Sequence, residues 1–330
     1  MLFILTNSQD TTASYLISVL EKSTIPFLRL DTDRFLPRIA TSYSQGKPSI
    51  KIDGRSYKPE DVSDVWYRRP EKLKDDRFDN SPESRYMLSE WTEFIECFFA
   101  HVPKKKWVNH PSCNTTASRK LEQLTTAVKL GFTVPDTLVT QEPDKLRSFF
   151  ELHQGKVIVK PLSTGYIERT GEANDSLIYT NRLNERHLDN LDDLSLCPTF
   201  FQQFIQKHFD VRITVMDSDV HAVTLQATDR PGEQRCDIRR NNMSDVTYRV
   251  IQLPENINVR IQRLVAHYKL RFAAIDMAIS TSGEWYFFEV NPNGQWAWLD
   301  MCAGMNISAS FVKAFSEETS KHSQINPALL

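Results

Sequence analysis

The chain has 330 residues, 40% of them hydrophobic and 25% charged, with 40 Lys and Arg against 42 Asp and Glu for a formal charge of -2. That length predicts two domains, or three small ones, with enough core to fold without disulfide staples. The balance of charge excludes a strongly basic nucleic-acid binder and a polyacidic tail protein.

Met1–Thr6 is a short apolar run that reads as a buried strand. It is too short for a signal h-region and lacks a basic flank. Thr11–Lys22 carries Tyr15, Leu16, Val19 and Leu20 at helical spacing, and Pro26–Leu30 reads as a second strand. A strand–helix–strand start predicts a parallel α/β unit. Ser49–Ile52 and Ser56–Tyr57, split by Asp53-Gly54, predict a hairpin. Val62–Arg68 is a further strand ended by Pro70, and Pro82–His101 a long helix with Trp91, Phe94, Ile95, Phe98 and Phe99 on its apolar face. Pro111, Ser112 and Asn114 mark a boundary near Trp107–Cys113.

Beyond it, Thr116–Leu130 predicts a helix with Gly131 at its C-terminal cap. Asp144–Leu152 and Glu185–Leu194 read as helical, and Lys156–Pro161 and Leu177–Thr180 as strands. From Pro198 on, Thr199–Ile205, Asp210–Met216 and His221–Ala227 read as strands and Val259–Tyr268 as an amphipathic helix. Phe272–Ser280 and Trp285–Val290 form a strand pair split by Ser282-Gly283, and Ala309–Thr319 closes the chain as a helix. The fold class is α/β, and the expected division is 1–112, 113–198 and 199–330.

Several function classes drop out on motifs. The chain has only 10 glycines, and none builds a G-x-G-x-x-G dinucleotide fingerprint or a Walker P-loop. G-x-S-x-G and H-E-x-x-H are absent, which weakens hydrolase and zincin readings. Cys97, Cys113, Cys197, Cys236 and Cys302 are odd in number and widely spaced, with no CxxC pair. Reduced thiols and a cytoplasmic location are the expectation. No apolar run of ~18 residues suits a membrane span.

The segment FAAIDMAISTSGEWYFFEVNPNGQW carries the most chemistry. Glu289 and Asn291 are two apart and share a sheet face, and Asp276 can face them across the hairpin. Three oxygen donors on one surface suit Mg²⁺, a hard cation that keeps substrate phosphates as further ligands. The plainer alternative, half-exposed strand carboxylates, conflicts with the apolar neighbours Ile275, Met277, Phe287, Phe288 and Val290. Lys160, at the end of an apolar strand, and Lys120 can each hold phosphate as a compact charge, or else sit solvated at the surface. Backbone amides at Gln202–Ile205 are placed to meet an adenine edge. Asp210 and Arg212 share a strand face, where Arg212 is either a bidentate clamp or half of an idle surface pair. Arg239 and Arg240 add charge in an expected loop. Trp66, Tyr67, Arg68 and Arg69 are either site contacts or a core strand with an exposed tip, and Trp296 and Trp298 either wall a site or fill the core. The histidines show no metal-ligand spacing.

In this order the segments resemble the ATP-grasp superfamily. The resemblance is closer to the ligases that mature ribosomal peptides, the microviridin-type graspetide synthetases. It is carried by WYRRP, WVNHPSCNTTASRK, GFTVPDTLVT, VIVKPL, PTFFQQFIQKHFDVRITV and FFEVNPNGQWAWLD, which span nearly the whole chain. The resemblance implies an ATP-grasp fold with an N-terminal pre-ATP-grasp domain and two ATP-binding subdomains. It implies an enzyme that phosphorylates Glu or Asp side chains of a precursor peptide with ATP and Mg²⁺. Ser or Thr hydroxyls, or Lys amines, then close ω-ester or ω-amide rings. By motif position, Lys120, Lys160, Gln203, Ile205 and Asp210 would hold ATP, and Asp276, Glu289 and Asn291 would bind Mg²⁺. Arg212 and Arg240 would steady the acyl phosphate and the transferring phosphoryl group. The precursor's leader would dock on Thr164–Cys197, and the enzyme would be a homodimer with no nucleic-acid or membrane partner. The absence of a nucleophile motif agrees with phosphoryl transfer by positioning and charge neutralisation. The alternatives are a ligase that adds amino acids to a protein terminus or small molecule, and a non-catalytic nucleotide-binding module.

Overall fold

The computed structural model describes residues 1–167, 176–227, 236–238 and 245–316. The N-terminal part is a four-stranded parallel sheet ordered Phe27–Asp31, Leu2–Thr6, Asp64–Tyr67, Trp107–Val108. Its first crossover helix, Thr11–Leu20, starts where the Asp10 side chain accepts a hydrogen bond from Ala13 N, and it buries Thr12, Ala13, Leu16 and Leu20 along one face. The helix Pro82–Ala100 is capped by Ser81, with proline in its first turn. Its Phe99 packs edge-on against Phe3 and Trp107. The expected hairpin is the second half of a three-stranded antiparallel sheet, Ile39–Ser44, Lys47–Ile52 and Arg55–Tyr57. Its first strand, IATSYS, carries too few apolar residues to announce itself.

Besides a two-stranded antiparallel pairing of Tyr166–Ile167 with Ser176–Leu177, two larger antiparallel sheets build the rest. One is ordered Asn181–Arg182, Val157–Lys160, Thr199–Gln203, Thr137–Thr140. The other is ordered Val246–Ile251, Asp219–Ala227, Lys207–Met216, Phe272–Ser280, Trp285–Asn291. The helices Lys120–Lys129 and Glu255–His267 cover one face of the five-stranded sheet, packing Leu124, Ala127, Ile261 and Leu264 on Ile213, Ala273, Ile275 and Phe287. Ala297–Ala303 and Ile307–Phe315 join it to the N-terminal helix, with Trp296, Phe311 and Leu16 in one core.

Two expected helices are corrected. Thr116–Leu130 is not one helix: Pro111–Ala117 and Lys120–Lys129 are separated at Ser118-Arg119. Pro111, read as boundary punctuation, is a first-turn proline after the His110 cap, a position its fixed φ suits. Glu185–Leu194 is two 3-10 segments, Glu185–Leu188 and Asp192–Leu196. Leu188, Leu191 and Leu194 fall every third residue and meet the same apolar cluster, a spacing that three residues per turn satisfies. Among the described residues, no helix is long and apolar enough to cross a membrane.

Candidate active site

Between the two antiparallel sheets lies a cavity of about 780 Å³. Lys120, Lys160, Gln203, Ile205, Asp210, Arg212, Asp276, Glu289 and Asn291 all line it, together with Arg69, Lys207, Phe288, Gln295 and Trp298. Of the residues the sequence singled out for the site, Arg240 alone lies outside the described residues, as does its neighbour Arg239. The stretch Thr164–Cys197, expected to dock a leader, is described except for 168–175.

The antiparallel register sets Asp276 directly opposite Glu289. Immediately after that pair the register shifts, so Met277 faces Phe287 and Phe288 is the extra residue of a bulge. Phe288 and Glu289 therefore both line the cavity, while Phe287 is fully buried on the opposite side. Asn291 Nδ2 donates to Asp276 Oδ2 at 3.2 Å and to Glu289 Oε1 at 3.1 Å, so the three side chains converge on one point. Desolvation pushes the Asp276 carboxyl above the usual range, opposed by Arg212 and reinforced by Glu289. Desolvation pushes Glu289 the same way, but the charges of Lys160 and Lys120 outweigh it and hold that carboxyl below the usual range. Two carboxylates with an amide between them are a donor set for a hard divalent cation with phosphate ligands once the Asn291 amide turns its oxygen inward. Among the described residues, no cluster of three Asp, Glu, His or Cys suits a metal.

The lysines face this set. Lys160 Nζ lies 4.8 Å from the Phe200 ring centroid and 5.9 Å from that of Phe288. Desolvation pulls its ammonium down to about 8, against the opposing charge of Glu289. Lys120, in the first turn of its helix, donates to Pro161 O at 2.9 Å and Ser163 O at 3.1 Å, and sits 3.8 Å from Glu289 Oε2. It therefore ties the strand that carries Glu289 to the loop after Lys160, on the cavity wall.

Arg212 is not an idle surface partner of Asp210. Asp210 pairs with Lys207 at 2.7 Å, while Arg212 Nη1 donates to Asp276 Oδ1 at 2.7 Å and Nη2 to Gln295 O at 2.9 Å. Arg212 Nε is buried and has no hydrogen-bond partner among the described residues. In the expected adenine edge, Gln203 N donates to Asp136 O and Phe204 N to Lys156 O, both at 2.8 Å. Those two amides of the Gln202–Ile205 segment are taken by backbone carbonyls and are not open to a base. The side chain of Gln202 is the surprise: it is fully buried, donates from Nε2 to Thr137 Oγ1 at 2.9 Å, and its Oε1 has no partner among the described residues.

Other residues resolve too. Trp296 is core, fully buried and stacked 4.7 Å from Phe311, whereas half-buried Trp298 lines the cavity. Trp66 is core, Arg68 is buried, and Arg69 reaches the cavity and donates to Asn293 O. Sequence reasoning missed Gln202, Phe288, Asn293 and Gln295 as site-builders. The N-P-N-G-Q run after Asn291 was the signal for the last two.

A family model described as the RimK-like ATP-grasp domain matches residues 117–315, and one described as the MvdD pre-ATP grasp domain matches residues 1–115. The chain belongs to the RimK-like ATP-grasp family and is an ATP-dependent ligase. Among solved structures it is similar to the macrocyclase MdnC of Microcystis aeruginosa MRC bound with precursor peptide MdnA. That pair is 25% identical with a TM-score of 0.80, covering 96% of this chain and 99% of the other. It is also similar to a RiPP-associated ATP-grasp ligase of Chryseobacterium gregarium in complex with ADP and a leader and core peptide. Here identity is 26% and the TM-score 0.81, over 96% of each chain. The macrocyclase MdnB of Microcystis aeruginosa MRC matches at 25% identity and a TM-score of 0.74, over 96% of this chain and 99% of that one. No curated protein matches the sequence.

Proposed function

We propose that the chain activates Glu or Asp side chains of a ribosomal precursor peptide as acyl phosphates, and joins them to Ser or Thr hydroxyls or Lys amines to close macrocycles. The observation that carries this reading is the convergence, in one cavity, of Asp276, Glu289 and Asn291 facing Lys120, Lys160 and Arg212. Solved relatives of similar size and fold, with a precursor peptide or with ADP and leader and core peptides bound, support it.

In this proposal Asp276, Glu289 and Asn291 hold Mg²⁺, which when bound neutralises phosphate charge. Lys120 and Lys160 hold the phosphates of ATP, and Gln202, Gln203 and Ile205 border its base, with Asp210 holding Lys207 in place. Arg212, fixed at both Nη atoms, lines the cavity and lends its charge to the acyl phosphate. The carboxylate oxygen attacks the γ-phosphorus and ADP leaves. The hydroxyl or amine then attacks the acyl carbon, loses its proton, and phosphate leaves. Preorganised donors suffice for both steps, and no protein nucleophile is needed. We further propose a leader contact on Thr164–Cys197, a homodimer, a cytoplasmic location, and the division 1–112, 113–198 and 199–330. A light-scattering mass equal to one chain would remove the homodimer.

The test is the intact mass of an acidic, Ser/Thr- or Lys-containing precursor encoded beside this protein, incubated with enzyme, ATP and Mg²⁺. ATP-dependent loss of one water per bond is expected, and alkaline lability of the bonds identifies esters. An unchanged precursor alongside mass gain on free amino acids would instead favour the amino-acid-adding ligase.

A further inference from the structure

A line of side-chain contacts runs from the turn after the first strand to the wall of the cavity. Asp10 starts it, held by Thr6 Oγ1 on Oδ2 and Ala13 N on Oδ1, both at 3.1 Å. Arg68, 1% exposed, pairs with it, Nε to Oδ2 at 3.3 Å. The same guanidinium reaches across 225 residues of sequence, donating from Nη1 to Asn293 O and from Nη2 to Gln295 Oε1 at 2.9 Å. Thr12 Oγ1 donates to that same Oε1. The Gln295 carbonyl in turn accepts from Arg212 Nη2 at 2.9 Å, and Arg212 Nη1 grips Asp276. Between these contacts Gly294 leaves no slack, because a Cβ there would lie 2.6 Å from Arg212 Nη2.

We propose that Arg68 is a positioning residue for Arg212. It fixes Gln295 at both its side chain and its neighbouring backbone, and the Gln295 carbonyl then holds the Arg212 guanidinium in place on the cavity wall, where it meets the transferred phosphoryl group. A buried guanidinium is costly to hold where an apolar side chain would pack as well. A planar fork that lies against a carboxylate while donating to a carbonyl and an amide oxygen does what a lysine cannot. What Arg212 acts on rests on the ligase reading above, whereas the contacts that hold it do not. The N-terminal sheet thus completes the active site from behind and touches no ligand through Arg68.

The test uses the full chain and the precursor assay. Arg68→Lys keeps a charge beside Asp10 and loses the fork. The expected result is a roughly 10- to 100-fold fall in kcat, with KM for ATP and Kd for ADP within about twofold of wild type. Gln295→Ala gives a similar fall, and the double variant is no worse than the weaker single. Losses that multiply in the double variant, or that appear in ADP affinity instead of kcat, overturn the relay. If Arg68→Lys does not fold, Gln295→Ala combined with Arg212→Lys carries the same non-additivity test. A melting-temperature cycle over Arg68→Lys and Gln295→Ala reads the coupling without any substrate. Coupling present while wild type turns over no peptide removes the ligase reading and keeps the contacts; coupling absent removes the relay even in an active ligase.

Discussion

Gln123 clasps the backbone of Val290 with both ends of its amide: Val290 N donates to Oε1 at 2.9 Å, and Nε2 donates to Val290 O at 2.9 Å. Gln123 is 2% exposed and sits one turn along the helix that begins with Lys120. Val290 lies between Glu289 and Asn291. One buried amide therefore fixes the strand that presents two proposed metal ligands relative to the helix that presents a proposed phosphate lysine. Gln123→Leu keeps the volume but leaves a buried N–H and C=O without partners. It is expected to lower unfolding stability by about 1–3 kcal/mol in urea titration and to raise the Mg²⁺ concentration needed for half-maximal turnover. Unchanged stability would mean that water replaces the amide.

The paired carboxylates give a sharper contrast. Glu289→Gln keeps shape but removes the charge that Lys160 and Lys120 compensate. Turnover is expected to fall about 100-fold or more, with the fold retained. Asp276→Asn is expected to be as severe and to loosen Arg212 as well, since Arg212 Nη1 loses its ionic acceptor. Steady-state kinetics with circular dichroism checks both, and activity within a few-fold of wild type in Glu289→Gln would remove the metal assignment.

The convergence of Asp276, Glu289 and Asn291 was legible because strand alternation is local: two residues apart means one face, and a short turn fixes the pairing. The bulge at Phe288 was not legible, since FFE reads as a regular strand whichever residue is extra. Arg68 was illegible for a different reason. Its partners Asn293 and Gln295 are more than 200 residues away, and an arginine pair at a strand end reads equally as a site contact or an exposed tip. The segment expected at the adenine edge lines the cavity, but the sequence did not show that Gln202 rather than Gln203 is the buried side chain, because the sheet register decides it. The break at Ser118-Arg119 has neither proline nor glycine to mark it, so two helices looked like one.

Gly294 offers a test of how tightly the site is packed. A Cβ there would lie 2.4 Å from Ala274 Cβ and 2.6 Å from Arg212 Nη2, so Gly294→Ala forces the Asn293–Gln295 loop or the Arg212 guanidinium to move. Turnover is expected to fall roughly 10- to 100-fold, as misplacement near 1 Å does in other active sites. Melting should drop by a few degrees. Combining it with Ala274→Gly relieves one of the two contacts, and partial recovery of stability without recovery of turnover would assign the kinetic loss to Arg212.

Lys160 makes nucleotide binding depend on pH in a stated direction. Its ammonium is held near 8 by desolvation, with Glu289 pulling the other way. Bound phosphate favours the charged form and raises that value in the complex, so binding takes up a proton. The Kd for ADP is therefore expected to be nearly flat below pH 7 and to rise above pH 8, by up to tenfold per unit until the pKa of the complex is passed. Calorimetry at pH 8.5 in two buffers of different ionisation enthalpy should register the proton uptake. Lys160→Arg, charged throughout, is expected to flatten the profile, and Lys160→Met to weaken binding at every pH with no slope. The ligand-free fold carries the opposite signature. The lysine's folded value lies below the ordinary 10.5, so the unfolded chain holds more protons between about pH 8 and 10.5, and this group's contribution to stability improves as pH rises through that window. A wild-type Kd that stays constant from pH 7 to 9.5 would place Lys160 away from the phosphates.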